Sequence, residues 1–175
     1  MKKISMFFAV MAIMMGVTTR ILAQVTDTKA NDANAQILGA ITLTAAQDLE
    51  FGGIVPNSTS ASTVVINSAD ARSIGSGTPT LVTSKVTPKS GAYTVTGTGL
   101  VGYIITIPTA DFNITNTTGI VHETMAVSEM TCSKGASSTF ASDGTDAFKV
   151  GGTLHIAANQ AAGLYTGTFN VTVAY

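Results

Sequence analysis

The last eleven residues of the chain alternate strictly. Tyr165, Gly167, Phe169, Val171, Val173 and Tyr175 take one set of positions, and Thr166, Thr168, Asn170, Thr172 and Ala174 the other. Successive side chains of an extended chain point to opposite faces. The pattern therefore predicts an antiparallel strand with one buried and one wet face. We expect residues 163–175 to form the central apolar strand of the fold, with Tyr165, Phe169, Val171, Val173 and Tyr175 turned inward. Each large side chain buried there contributes roughly 1.5–3 kcal/mol.

Shorter runs of the same kind fill the rest of the chain. Ala35, Ile37, Gly39, Ile41 and Leu43 share one face of a first strand. Further strands are predicted at 49–54, 62–67, 80–86, 92–96, 102–108 and 112–115, then at 122–132, 148–150 and 152–157. Met125, Val127 and Met130 admit a helical reading, but Thr, Ser and Gly flank them and a strand is expected. Threonine, valine and isoleucine dominate these segments, and branched Cβ atoms suit a pleated strand better than a helix. Pro56-Asn57-Ser58, residues 75–79 and Asp143-Gly144 supply turns. Short strands at near-regular spacing, with no amphipathic helical stretch, predict an all-β sandwich or barrel. The spacing is not a fixed repeat, which argues against a solenoid.

The N-terminus sets the destination. Lys2 and Lys3 precede an apolar run from Ile4 to Val17, and Thr18-Thr19-Arg20 then leads to Ile21-Leu22-Ala23. That is the layout of a secretory signal peptide cut after Ala23. The run falls short of the roughly 20 residues needed to span a bilayer. No later stretch approaches that length, so we expect no membrane span after the signal is removed. Residues 24–33 are small and polar and read as a flexible leader, followed by a single domain over 34–175. Without Lys2, Lys3 and Arg20 the formal charge moves from −1 to −4, and no basic run remains. The electrostatic footprint of a nucleic-acid binder is missing. Charged residues are only 11% of the chain, against roughly a quarter in ordinary globular domains, which suits an exported protein.

No constellation nominates a reaction. Cys132 is the only cysteine, so no internal disulfide exists and a half-buried core thiol is expected. His122 and His155 fall inside strand patterns and suggest no metal site. The carboxylates Asp48, Glu50, Asp70, Asp111, Glu123, Glu129, Asp143 and Asp146 are scattered, and nothing selects two of them as a glycosidase pair. Asp143-Gly144-Thr145-Asp146 lacks the spacing of a calcium-binding EF-hand loop and reads as a turn. Glycan binding usually uses exposed aromatic platforms, and the chain has no tryptophan. The Asn-x-Ser/Thr patterns at Asn57, Asn113, Asn116 and Asn170 read as accidents of a threonine-rich chain. We expect no enzyme and no cofactor.

Three motifs occur together. Leu49-Glu50-Phe51-Gly52-Gly53-Ile54 lies early, Val150-Gly151-Gly152-Thr153-Leu154 late, and Gly163-Leu164-Tyr165-Thr166-Gly167 opens the closing run to Tyr175. Each glycine pair permits a bulge or a sharp bend at a sheet corner, and Gly167 leaves a space that a ring such as Tyr165 would cover. Together they resemble an uncharacterised family of exported bacterial proteins catalogued as a domain of unknown function. That family is in turn similar to spore coat protein U and to fimbrial subunits of chaperone–usher pili. The resemblance implies an immunoglobulin-like, pilin-like β-sandwich that serves as a structural surface or fibre subunit. Its implied partners are copies of itself or related subunits, met through sheet edges, and a periplasmic chaperone. Many coat-U-like subunits carry a disulfide that this chain cannot form, and residues 24–33 lack the alternating bulky residues of a donor strand. The alternative expectation is a monomeric secreted or cell-surface module that binds a glycan or protein ligand through its loops.

Overall fold

The computed structural model describes residues 26–83, 86–119 and 123–175. The signal layout over residues 1–23, Gln24 at the start of the leader, and His122 lie outside them. Residues 26–36 are exposed and without regular structure, and Ile37–Tyr175 forms one compact unit.

The described strands are β1 (Thr42–Gln47), β2 (Gly53–Val55), β3 (Ser62–Ile66), β4 (Arg72–Ser76), β5 (Thr80–Val82), β6 (Gly91–Thr96) and β7 (Gly102–Thr106), then β8 (Phe112–Asn116), β9 (Thr124–Cys132), β10 (Ser137–Thr139), β11 (Thr145–Ile156), β12 (Tyr165–Thr166) and β13 (Thr172–Ala174). All pairings are antiparallel, and no helix occurs among the described residues. The fold is an antiparallel β-sandwich. Its large sheet runs β1-β6-β11-β9-β8-β12, with β3 joined to β11 and β4 to β3, and its second layer comprises β10-β7-β13 and the pair β2-β5.

The centre of the fold is β11. One of its edges pairs with β6 from Thr145 to Val150 and then with β3 from Gly152 to Ile156. Its other edge pairs with β9. Gly151 sits where one neighbour gives way to the next, and a Cβ there would lie 2.2 Å from Ile66 O. Opposite Gly152 the register with β9 shifts at Glu129 and Met130, and Glu129 has φ 50°. The bulge expected at the glycine pair is present, carried by the partner strand.

Two apolar clusters lie along β11. The first gathers Val95, Tyr103, Ile105, Phe140, Phe148 and Val150, with Cys132 packed half-buried against it as expected. Tyr103 stacks on Phe140 at 4.5 Å and Tyr93 on Phe148 at 5.2 Å between ring centroids. The second gathers Val64, Val127, Leu154 and Ile156 beneath Phe51, Ile54 and Leu81. Met130 packs against both.

Several sequence expectations need correction. The closing run is not one central strand. It forms β12 at the margin of the large sheet and β13 at the margin of the small one, separated by residues 167–171. The chain is crossing between layers, and its alternation survives the crossing. Tyr165, Phe169, Val171 and Val173 are partly buried while their neighbours are exposed, but Tyr175 remains 40% exposed. The first strand begins at Thr42, not near Ala35, because its partner ends at Thr96. Ile37 is 95% exposed. Residues 49–52 precede β2 and do not belong to it. The two runs predicted at 148–150 and 152–157 are one strand. Polar β4 and β10 leave little mark in the sequence because they are marginal strands with little apolar content, and Gly75 in β4 reads as a turn residue.

Candidate functional site

The motif residues act as joints. Gly52 takes φ 77°, and a Cβ on it would meet the Arg72 guanidinium at 2.6 Å. That guanidinium donates to Phe51 O at 3.0 Å, Gly53 O at 3.1 Å and Val82 O at 3.1 Å, joining β4 to the β2–β5 pair. Tyr165 OH donates to Ala161 O at 2.8 Å and accepts from Gln160 Nε2 at 3.0 Å. The bond ties the start of β12 to the backbone just upstream, the kind of contact a tyrosine corner makes in immunoglobulin-like sandwiches. Gly163 passes so close to Asn116 that a Cβ would lie 2.2 Å from its Oδ1. Asn116 is fully buried and accepts from Gly119 N at 2.7 Å, so its acceptor pattern is structural. The space at Gly167 is taken by the backbone of β8 and by Ile114, not by Tyr165. Phe169 instead meets Phe112, with centroids 5.3 Å apart.

The margins of the two layers meet where the compact unit begins and ends. There β13 lies beside β1, and among the described residues each is paired along one edge only, to β7 and β6 respectively. Ile41 and Leu43 on one side, and Phe169, Val171 and Val173 on the other, cover the first cluster but remain partly buried. The terminal Tyr175 fastens this seam. Its hydroxyl donates to Gly39 O at 2.9 Å and accepts from Thr98 N at 2.8 Å, while Gly39 N donates to Thr98 Oγ1 at 2.6 Å. The ring meets Phe140 edge-on at 6.3 Å. Gly97 makes room for both rings, since a Cβ there would lie 2.6 Å from Tyr175 Oη. Alternation alone carried no sign of this clamp, which joins residues far apart in sequence.

Titratable groups serve the scaffold. Desolvation pushes the Asp146 carboxyl up. Hydrogen bonds from Ser138, Lys134, Ala147 N and Tyr103 outweigh it and hold the group down at about 2. Burial, followed by its bond to Asp146, pushes Tyr103 up to about 12. Asp70 is held well below the usual carboxylate range, first by Lys149 and then by Ser90. Asp143 is lowered by the Thr145 hydroxyl and amide in a turn where Gly144 has φ 77°. The expected turn is present. Among the described residues no group of three His, Cys, Asp or Glu side chains is placed to hold a metal ion.

One pair was not foreseen. Ser128 Oγ and His155 Nε2 lie 2.6 Å apart across β9 and β11, a diagonal cross-strand contact. Ser128 is only 7% exposed, and the adjacent Glu129 carboxylate accepts from Thr153 Oγ1 at 2.9 Å. The pair fixes the imidazole; a buried hydroxyl is poorly placed to attack a substrate. Cys132, packed against the first cluster, is the last residue of β9 and takes no part in this pair.

The class these features define is an antiparallel β-sandwich with open margins, its special residues spent on joints. The chain belongs to the DUF4402 family, a domain of unknown function, which matches it over residues 41–175. Comparison with curated proteins and with solved structures returned no match.

Proposed function

We propose that this protein is a non-catalytic exported structural subunit, pilin-like or coat-like, that associates with copies of itself or related subunits through its sheet margins. The observation carrying this reading is the seam between β1 and β13. Two strands lie side by side, each hydrogen-bonded along one edge only among the described residues, over apolar side chains only partly buried. Unpaired edges are templates for another strand, and proteins that stay monomeric blunt them with lysine, proline or a covering segment. Neither β1 nor β13 contains a lysine or a proline. A strand added at an open edge gains main-chain hydrogen bonds and pockets for alternate side chains.

Export rests on the signal layout of residues 1–23, and a periplasmic chaperone covering the same seam before assembly completes the reading. Size-exclusion chromatography and electron microscopy of material from the native host test it. Multimers or fibres containing this chain are expected, and a uniformly monomeric protein would contradict it.

A further inference from the structure

The seam between β1 and β13 is narrower than a subunit joining there requires. Cα atoms of the two strands come within 8 Å of each other. Neighbouring strands of a sheet lie roughly 4.7–4.9 Å apart, so a strand paired with either one leaves less than a second strand spacing to the other. The seam must widen before a strand can enter. One side chain resists that widening. Among the described residues the only hydrogen bonds across the seam are those of the Tyr175 hydroxyl, which donates to Gly39 O at 2.9 Å and accepts from Thr98 N at 2.8 Å. Tyr175 directly follows β13, while Gly39 precedes β1 and Thr98 follows β6. The bonds therefore tie the small layer to the end of the β1–β6 ladder, where Thr42 pairs with Thr96. Gly39 N donates to Thr98 Oγ1 at 2.6 Å and so keeps the two partners of Tyr175 together. Tyr175 is 40% exposed, so water can take over from those partners and the bonds break at modest cost.

On the reading that subunits join at this seam, we propose that the Tyr175 hydroxyl is a latch. It keeps the seam closed in the free subunit, and a strand of a second copy of this chain enters only when the latch is released. Only open molecules are then competent to join, and a partly populated competent state weakens apparent association in proportion. The bonds of one hydroxyl shift such an equilibrium by about tenfold. The latch is separable from the core. Tyr175→Phe keeps the edge-on ring contact with Phe140 and leaves exposed Gly39 and half-buried Thr98 to bond water.

The test follows reassembly by light scattering. Assembled material from the native host is dissociated, and the wild-type subunit is compared with Tyr175→Phe and Tyr165→Phe. The second variant controls for general loosening, because its hydroxyl bonds Ala161 O and Gln160 Nε2 instead of crossing the seam. Tyr175→Phe is expected to reassemble about tenfold faster than the wild type, and Tyr165→Phe at the wild-type rate. If the wild type reassembles and Tyr175→Phe is no faster, or if Tyr165→Phe gains as much, the latch is overturned while the seam reading stands. If neither the wild type nor Tyr175→Phe assembles, the seam reading fails and the latch fails with it.

Discussion

Asp146 shows how a single side chain can do structural work that resembles a site. Its carboxylate receives Tyr103 OH at 3.0 Å, Ser138 Oγ at 2.6 Å and Lys134 Nζ at 3.0 Å, tying β11 to β7 and β10. Folding lowers its pKa from 3.8 to about 2. A carboxyl depressed in the folded state adds stability above its unfolded pKa, and that stability is lost as pH falls through the folded value. Asp146→Asn should therefore cost about 2 kcal/mol at neutral pH. The deficit should shrink as pH falls from about 4 to about 2. Urea unfolding across that range checks this; a deficit independent of pH would show that charge is not the cause. In the sequence Asp146 was one of eight scattered carboxylates. Its role became visible only when the pairing of β7 with β10 brought Tyr103 and Ser138 to it.

Among the elements, β11 carries both clusters and changes neighbours at Gly151. An added methyl there would lie 2.2 Å from Ile66 O, a backbone atom, and backbone cannot swing aside as a side chain does. Gly151→Ala should cost about 3 kcal/mol or more, the upper range of overpacking penalties. Gly135→Ala is the control: φ is 72° but nothing lies within 4 Å of the added Cβ, so about 1 kcal/mol is expected. Equal losses in the two variants, measured by denaturant unfolding, would contradict the changeover. The glycine pair was legible as a bend, and so were most apolar strands, because period-two alternation reports burial directly. What alternation does not report is the position of a strand in its sheet. The closing run has the strongest pattern in the chain and yet lies at the margins, because residues 167–171 spend it on crossing between layers. Polar β4 and β10 were invisible for the complementary reason: marginal strands need not bury a face.

At the scale of the whole molecule, the sandwich closes with β1 and β13 side by side, and the clamp of Tyr175 on Gly39 and Thr98 holds its first and last segments together. The central claim is that this seam is where subunits join. Alternating Ile41 and Leu43, and Val171 and Val173, were legible as strand faces. Their meeting was not, because it depends on which layer each end of the chain enters. Backbone hydrogen exchange reads edge pairing most directly, since an amide that gains a partner exchanges more slowly. It is measured residue by residue on assembled material from the native host and on the dissociated subunit. We expect amides of β1 and β13 to gain protection on assembly, while those of β11, already paired along both edges, change little. Assembled material whose β1 and β13 amides exchange as fast as in the free subunit would contradict the account, as would finding no assembled form to measure.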